Sequence, residues 1–476
     1  MIARTLVRTL LPCIVSVCAG IPISHAAIYE FQPDPNFGVD GVATYQWPEV
    51  NAYQWDATDA WATLLDNGKW VVAMRVRDGT QQKIAVNWFN ANGAVTPATP
   101  GAGPYTPFMQ SLNGGVGIGQ SLDGSLTIAG TTFPSVTDHD FRLFRSNADG
   151  TDGYAGCNGS FFWDIPFNFA PGANYDDAGA FAQDAALRQI VAGTVQYPGG
   201  ESRIGVGRIL PGCGFDGSFD LDGRQVVDPN PFASPPPHRT RANVVAIDNS
   251  QRVLIGGNAT WGLSSTDTGA CIVVRLGVDG ARDGSFGNSG VLYLENFTVT
   301  PGNWICDIGG IAVQADNKII VSGNWTVQDG DQNPSRDFVK RFDNNGNYDP
   351  GYSDCCTVGY GNVNYKDGAV ALLAGDGVVL HVNTSQIDQV DLDTADGALS
   401  AQNISDGSVA SGFLAPQLPL GFVSTSYHDV IVESPDSFVV VATTGTDFLN
   451  HRNVHLIKYR RTSTIVFDRI FLDGFE

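Results

Sequence analysis

The chain has little of what builds helices and less of what binds polyanions. Among 476 residues there are only 3 Met, and charged residues make up 16%, against about 25% in ordinary soluble domains. Gly is abundant instead, at 56 residues, and with Asp, Asn, Thr and Val it suits short strands and tight turns. Lys and Arg number 27 against 49 Asp and Glu, a formal net charge of −22. No basic stripe gathers the cations, which excludes nucleic acid as a partner and disfavours anionic membranes. The sequence has no C-x-x-C pair, no G-x-S-x-G elbow, no H-E-x-x-H and no dinucleotide or phosphate loop, so it offers no catalytic residue by motif. Yet 43% of residues are hydrophobic and 10% aromatic, enough for a large core, which excludes disorder and a small disulfide-stapled scaffold.

The start of the chain reads as an address. Arg4 and Arg8 precede an apolar stretch from Leu10 to Ile23 and the small-residue ending Ser24-His25-Ala26, the order of a secretory signal peptide over residues 1–26. The stretch falls short of the ~20 residues of a spanning helix, and no later segment reaches that length, so no transmembrane segment is expected. Taking Arg4 and Arg8 from the 27 cations leaves 25 against 49 anions, or −24. Six Cys follow the leader, Cys157, Cys213, Cys271, Cys306, Cys355 and Cys356, and an even number in an oxidising compartment predicts disulfides. Repeat register makes Cys157–Cys213 the preferred bridge.

A short apolar strand after a polar turn recurs seven times, with Trp70, Leu126, Ile190, Val253, Ile319, Val378 and Phe438 at one register. A second strand ending in a polar turn follows, as in residues 272–280 (IVVRLGVDG), 338–346 (FVKRFDNNG) and 387–397 (IDQVDLDTADG). Asn-Gly and Asp-Gly supply the positive φ that hairpin turns need. A period of about sixty residues with four strands per unit reads as a propeller blade. Residues 34–45 (DPNFGVDGVATY) copy the fourth-strand segment with no unit before them, while the last unit lacks that segment. The expected architecture is an all-β, seven-bladed β-propeller over residues 27–476, closed by an N-terminal strand that completes the last blade, with a tail at 468–476. Six blades is the alternative.

These motifs resemble the delta-60 repeat found in tandem in secreted bacterial proteins. The resemblance is closest at residues 34–45, 271–290 and 311–350, including Asp283, Phe286, Gly287 and Gly290, and weakest in the third, sixth and seventh units, where Ala186-Leu187-Arg188 replaces one turn. It implies a repeat fold and no established activity.

Arg145, Arg208, Arg275 and Arg341 share one register and are read as scaffold, pairing with repeated turn carboxylates such as Asp149, Asp279 and Asp283. Asp343, Asn345, Asp349, Asp391, Asp393 and Asp396 are calcium candidates, calcium being the one cofactor left open, although Asp and Asn also cap tight turns through their own backbone. Insertions at 131–140, 194–203, 258–270 and 324–336 belong on one face of a ring, where function resides. Phe133, Tyr197, Trp261, Trp325 and Asp329 within them suit stacking on a ligand. The sequence therefore points to a secreted or cell-surface monomer acting as a binding scaffold for carbohydrate or protein. The alternatives are an enzyme of hydrolase or lyase class with a loop-built site at the propeller mouth, and a calcium-stabilised structural protein of the envelope.

Overall fold

The repeated apolar runs become strands buried on both sides, which is why they read as continuous rather than alternating. In the computed structural model, strand Trp70–Asp78 places Trp70, Val72 and Met74 in one core cluster with Val439, Val441 and Leu456. Val71 and Ala73 enter another cluster with Ile118, Ile128 and Phe144. Period-two alternation thus divides one strand between two sheet-to-sheet interfaces. Likewise Leu254 packs with Ile308 and Ile311, whereas Val253 and Ile255 pack with Ile190 and Ile204. The structure describes residues 28–46, 53–54, 60–78, 81–96, 113–120, 124–135, 138–147, 162–167, 174–228, 237–261, 269–294, 303–328, 335–353, 358–359, 363–366, 368–373, 377–389, 392–408, 410–413, 424–445 and 451–465.

No α-helix occurs among these residues, and the strands form small, mostly antiparallel sheets. The largest is two four-stranded meanders joined by the single pair Ser202↔Arg239. Strands Ala60–Leu64, Asn113–Gln120, Asp177–Gln183, Arg239–Ile247, Asn303–Val313, Val370–Leu373 and Ser424–Ser434 each touch the next in that order, and the last returns to the first. The chain is therefore an all-β, propeller-like ring. Val42–Gln46 pairs antiparallel with the last strand, His451–Ile465, with Val42 opposite Ile457. Ile28–Pro33 runs along the same strand. The early segment supplies an outer strand of the final sheet, as expected, and removes an open edge.

The arginine register is built as scaffold. Arg208, Arg275 and Arg341 each direct Nε to the carboxylate eight residues on, Asp216 at 2.8 Å, Asp283 at 2.9 Å and Asp349 at 2.9 Å. Each guanidinium also donates to a carbonyl in the following unit, those of Val278, Asn344 and Ile404, and lies over Phe219, Phe286 or Tyr352. Arg145 reaches the Pro211 carbonyl in the same way. Burial alone would raise the pKa of Asp283, but Ser285 hydrogen bonds and Arg275 hold it below the usual carboxylate range. Of the partners the sequence suggested, Asp283 has this role, the Asp279 carboxylate instead accepts from the Ala281 amide within its own turn, and Asp149 lies outside the described residues.

Two departures from the repeat have different outcomes. At Ala186-Leu187-Arg188 the turn survives: Leu187 takes φ 58°, as Gln251 takes 61° and Asn317 takes 63°, and Asp184 N still donates to Arg188 O. In the sixth unit the expected turn at 391–397 is displaced. Strand Leu392–Asn403 contains Asp393 and Asp396, paired with Asp388 and Ser385, and the reversal comes later, where Asn403 N donates to Ser408 O. An Asp-Gly pair is compatible with a paired strand when the preceding strand is long enough to cover it, and here that strand is Val378–Gln389.

Cys271 and Cys306 form a disulfide with Cα atoms 5.1 Å apart, linking one sheet's third strand to the next sheet's innermost strand. Cys213 is also disulfide-bonded. Cys157, Cys355 and Cys356, the expected leader and the tail lie outside the described residues.

Candidate ligand site on the long-hairpin face

The insertions mostly lengthen strands into long hairpins. Leu126–Ser135 pairs with Asp138–Ser146, with an irregularity between Asp138 and Asp140, and Asn174–Tyr175 adds in parallel beside Asp138 and His139. Irregularities of this kind re-aim side chains. His139 stands edge-on between Phe133 and Tyr175, with ring centroids 4.0 and 4.6 Å away. Its Nδ1 lies 3.0 Å from Asp177 Oδ1.

Strand alternation sends the neighbours of His139, Asp138 and Asp140, to the opposite face of the sheet, where further carboxylates gather. Asp140 is only 7% exposed, and its Oδ1 has no hydrogen-bond partner. Burial, then Asp138, Asp164 and Asp176, push its pKa up to about 6 against the opposing pull of Arg142. Arg142 is already engaged by Asp164, through Nε at 2.5 Å and Nη2 at 2.8 Å, and caps the Phe162 ring at 4.1 Å. Asn174 donates to Asp138 at 3.5 Å and to Asp176 at 3.3 Å, and buried Asp176 accepts the Gln196 amide at 3.0 Å. Three carboxylates therefore raise the pKa of Asp140 and one guanidinium lowers it.

The next hairpin continues the arc. Tyr175 N donates to Gln196 Oε1 at 3.0 Å, and the following ring, Tyr197, lies under Arg203 at 5.7 Å. Arg203 pairs with Glu201 at 3.0 Å and Asp228 at 3.3 Å, and His238 Nδ1 is 3.4 Å from Glu201. Burial raises the pKa of Tyr197 and of Tyr293, and Asp228 adds to both. Tyr293 in turn stands 6.2 Å from Trp261.

Phe133, Tyr197 and Trp261 follow one arc, but only Phe133 is exposed; Tyr197, Trp261 and Trp325 each pack partly buried against a core cluster. Asp329 and Asp391 lie outside the described residues. Among the calcium candidates, Asp343 accepts from the Asn345 and Asn347 amides and from Asn347 Nδ2, the Asn345 carbonyl takes the Gly287 amide, and Asp349 is engaged by Arg341, Lys318 and the Gly351 amide. No three His, Cys, Asp or Glu converge as metal ligands among the described residues. Motif reading missed Asp138, Asp140, Arg142, Asp164, Tyr175 and Asp176. The legible signal was two dense stretches, 138–140 (DHD) and 174–177 (NYDD).

No family model matches the chain, and no curated protein matches it. Among solved structures it is similar to polysaccharide lyase Uly1, at 8% identity over 93% of this chain and 98% of that one, with a TM-score of 0.48. It is also similar to a protein of unknown function from Dyadobacter fermentans, at 10% identity over 89% and 100%, with a TM-score of 0.42. A third is the extracellular part of Drosophila Semaphorin 1b, at 10% identity over 87% of each chain, with a TM-score of 0.37. At these values the fold description rests on the chain's own strand pairing. No helix among the described residues is long and apolar enough to cross a membrane.

Proposed function

We propose that this is a secreted, seven-bladed propeller of the delta-60 repeat type that binds carbohydrate along the long-hairpin face. The closed circuit of innermost strands supports the blade count, and the Cys271–Cys306 disulfide supports an oxidising destination. The observation that carries the binding reading is the arc itself. Exposed Phe133 and Tyr175 flank His139, whose ring meets Asp177 at 3.0 Å, which pairs apolar ring faces for sugar C–H groups with an acceptor for hydroxyls.

Calorimetric titration with a panel of neutral, cationic and anionic oligosaccharides tests the reading. Phe133→Ala and Tyr175→Ala are expected to weaken binding at least tenfold without lowering Tm by more than a few degrees, and no binding by any glycan contradicts it. A second reading, glycoside hydrolysis, is favoured by one feature: Asp140 holds its proton to about pH 6 beside other carboxylates, the asymmetry that acid–base pairs use. Turnover of a bound glycan that disappears in Asp140→Asn is the result that favours hydrolysis, and binding without turnover removes it.

A further inference from the structure

Strand alternation sorts the side chains where the second and third units meet. Asn174–Tyr175 runs parallel to Asp138 and His139, so Tyr175 stands beside His139 on one side of the sheet, and Asp177, two residues on, projects to that side as well. Asn174 and Asp176 project to the other, where Asn174 donates to Asp138 and Asp176. The side that holds His139 is open: Phe133 and Tyr175 are exposed, and the Asp177 side chain is 56% exposed. His139 keeps 15% of its side chain in solvent, with Phe133 and Tyr175 against its ring. Its Nδ1 is turned to Asp177 Oδ1 at 3.0 Å, and its Nε2 makes no hydrogen bond among the described residues. By contrast, both ring nitrogens of His455 meet threonine hydroxyls.

An ionised carboxylate accepts hydrogen bonds and cannot donate them. Asp177 therefore keeps the proton of the neutral imidazole on Nδ1 and leaves the lone pair on Nε2. From this we infer that His139 Nε2 is the hydrogen-bond acceptor of the ring site, and that it selects glycans bringing a free hydroxyl beside an apolar sugar face over glycans whose hydroxyls are etherified. The inference rests on the carbohydrate reading above and names what the ligand must carry. Phe133 and Tyr175 take the C–H face of a sugar, a contact common to both kinds of glycan, so the discrimination falls to the polar atom between them. A site built to accept from a hydroxyl rejects the analogue that lacks one, because its own acceptor is then left unpaired. His139 touches the ligand, and Asp177 is a positioning residue that acts through it.

Nitrogen NMR of the full chain labelled at histidine, recorded at pH 8 and assigned by the signal lost in His139→Phe, reads which ring nitrogen carries the proton. The expected result is Nδ1–H in the wild type and Nε2–H in Asp177→Asn, whose amide donates to Nδ1. A wild-type ring protonated at Nε2, alone or together with Nδ1, overturns the inference whatever binds. Calorimetric titration with β-linked hexasaccharides of glucose, galactose, mannose and xylose, each free and O-methylated, then reads the selection. At least tenfold tighter binding of a free glycan than of its methylated form is expected, falling below threefold in Asp177→Asn and in His139→Phe, which keeps a ring between Phe133 and Tyr175. Both variants are checked by circular dichroism and Tm. Equal binding of free and methylated forms by the wild type overturns the inference and leaves the carbohydrate reading standing. A preference that survives in both variants comes from the bulk of the methyl groups and overturns it too. Binding of none of the glycans overturns both for neutral sugars.

Discussion

The two faces of the ring treat charge in opposite ways. On the turn face every repeated aspartate described has its arginine, hydroxyl or amide partner, and Arg275 alone joins Asp283, Ser285 and the Asn344 carbonyl of the next unit. On the long-hairpin face, Asp140 is left with an unpartnered oxygen among three other carboxylates. Where local rules are obeyed the residues hold the ring together, and where one is broken, as at Asp140, stability is spent.

The strongest way to break the comparison is to remove a satisfied charge. Arg275→Ala takes the guanidinium from the Asn344 carbonyl and the Phe286 ring and leaves Asp283 with Arg252 and Ser285 alone, and is expected to lower stability by about 3–4 kcal/mol in urea denaturation. A loss below 1 kcal/mol would mean the interlock is ornamental. Cys306→Ser, opening the bridge between residues separated by 35 positions, is expected to cost about 2–4 kcal/mol, read as a lower urea midpoint.

Titration separates two buried groups, His455 and Asp140, because they respond to pH with opposite sign. His455 is buried between Thr44 of the closing strand and Thr444, with ring nitrogens 2.9 and 2.8 Å from their hydroxyls, and burial lowers its pKa to about 4. Its folded value lies below the ordinary 6.5, so the neutral ring's contribution is present above that pH and is lost as pH falls toward 4, by up to about 3 kcal/mol. Asp140 has a folded value raised from 3.8 to about 6, so stability is lost as pH rises through that window. Asp140→Asn is therefore expected to stabilise the protein by about 1–3 kcal/mol above pH 6 and to change little below pH 4, measured as Tm against pH. The smallest effect belongs to the turn face: Leu187→Asn relieves a positive φ that leucine adopts poorly and is expected to add about 0.5–1 kcal/mol.

The ring was legible because each unit repeats the same physics. Strands buried on both sides need unbroken apolar runs, and the arginine register recurs because each unit meets its neighbour in the same way. The sixth unit was misread because Asp396-Gly397 has turn chemistry but lies within a long paired strand. The Cys271–Cys306 bridge was not singled out, since six cysteines allow fifteen pairings and neither residue signals which neighbour its sheet faces. The inserted hairpins and the Phe133, Tyr197, Trp261 and Trp325 rings on them could be read from the sequence. The acidic cluster was not, because Asp138, Asp140, Asp164 and Asp176 come from segments that meet only when Asn174–Tyr175 pairs with the Asp138–Ser146 strand, and no linear spacing encodes that meeting.

The central claim is that the turn face pairs its charges while Asp140 keeps an unpartnered oxygen, and Asp140→Asn set beside Arg275→Ala tests it most directly when the stability of both is measured at pH 7.5. The account predicts a higher Tm for Asp140→Asn and a lower Tm for Arg275→Ala. A lower Tm for Asp140→Asn, or an unchanged Tm for Arg275→Ala, would contradict it.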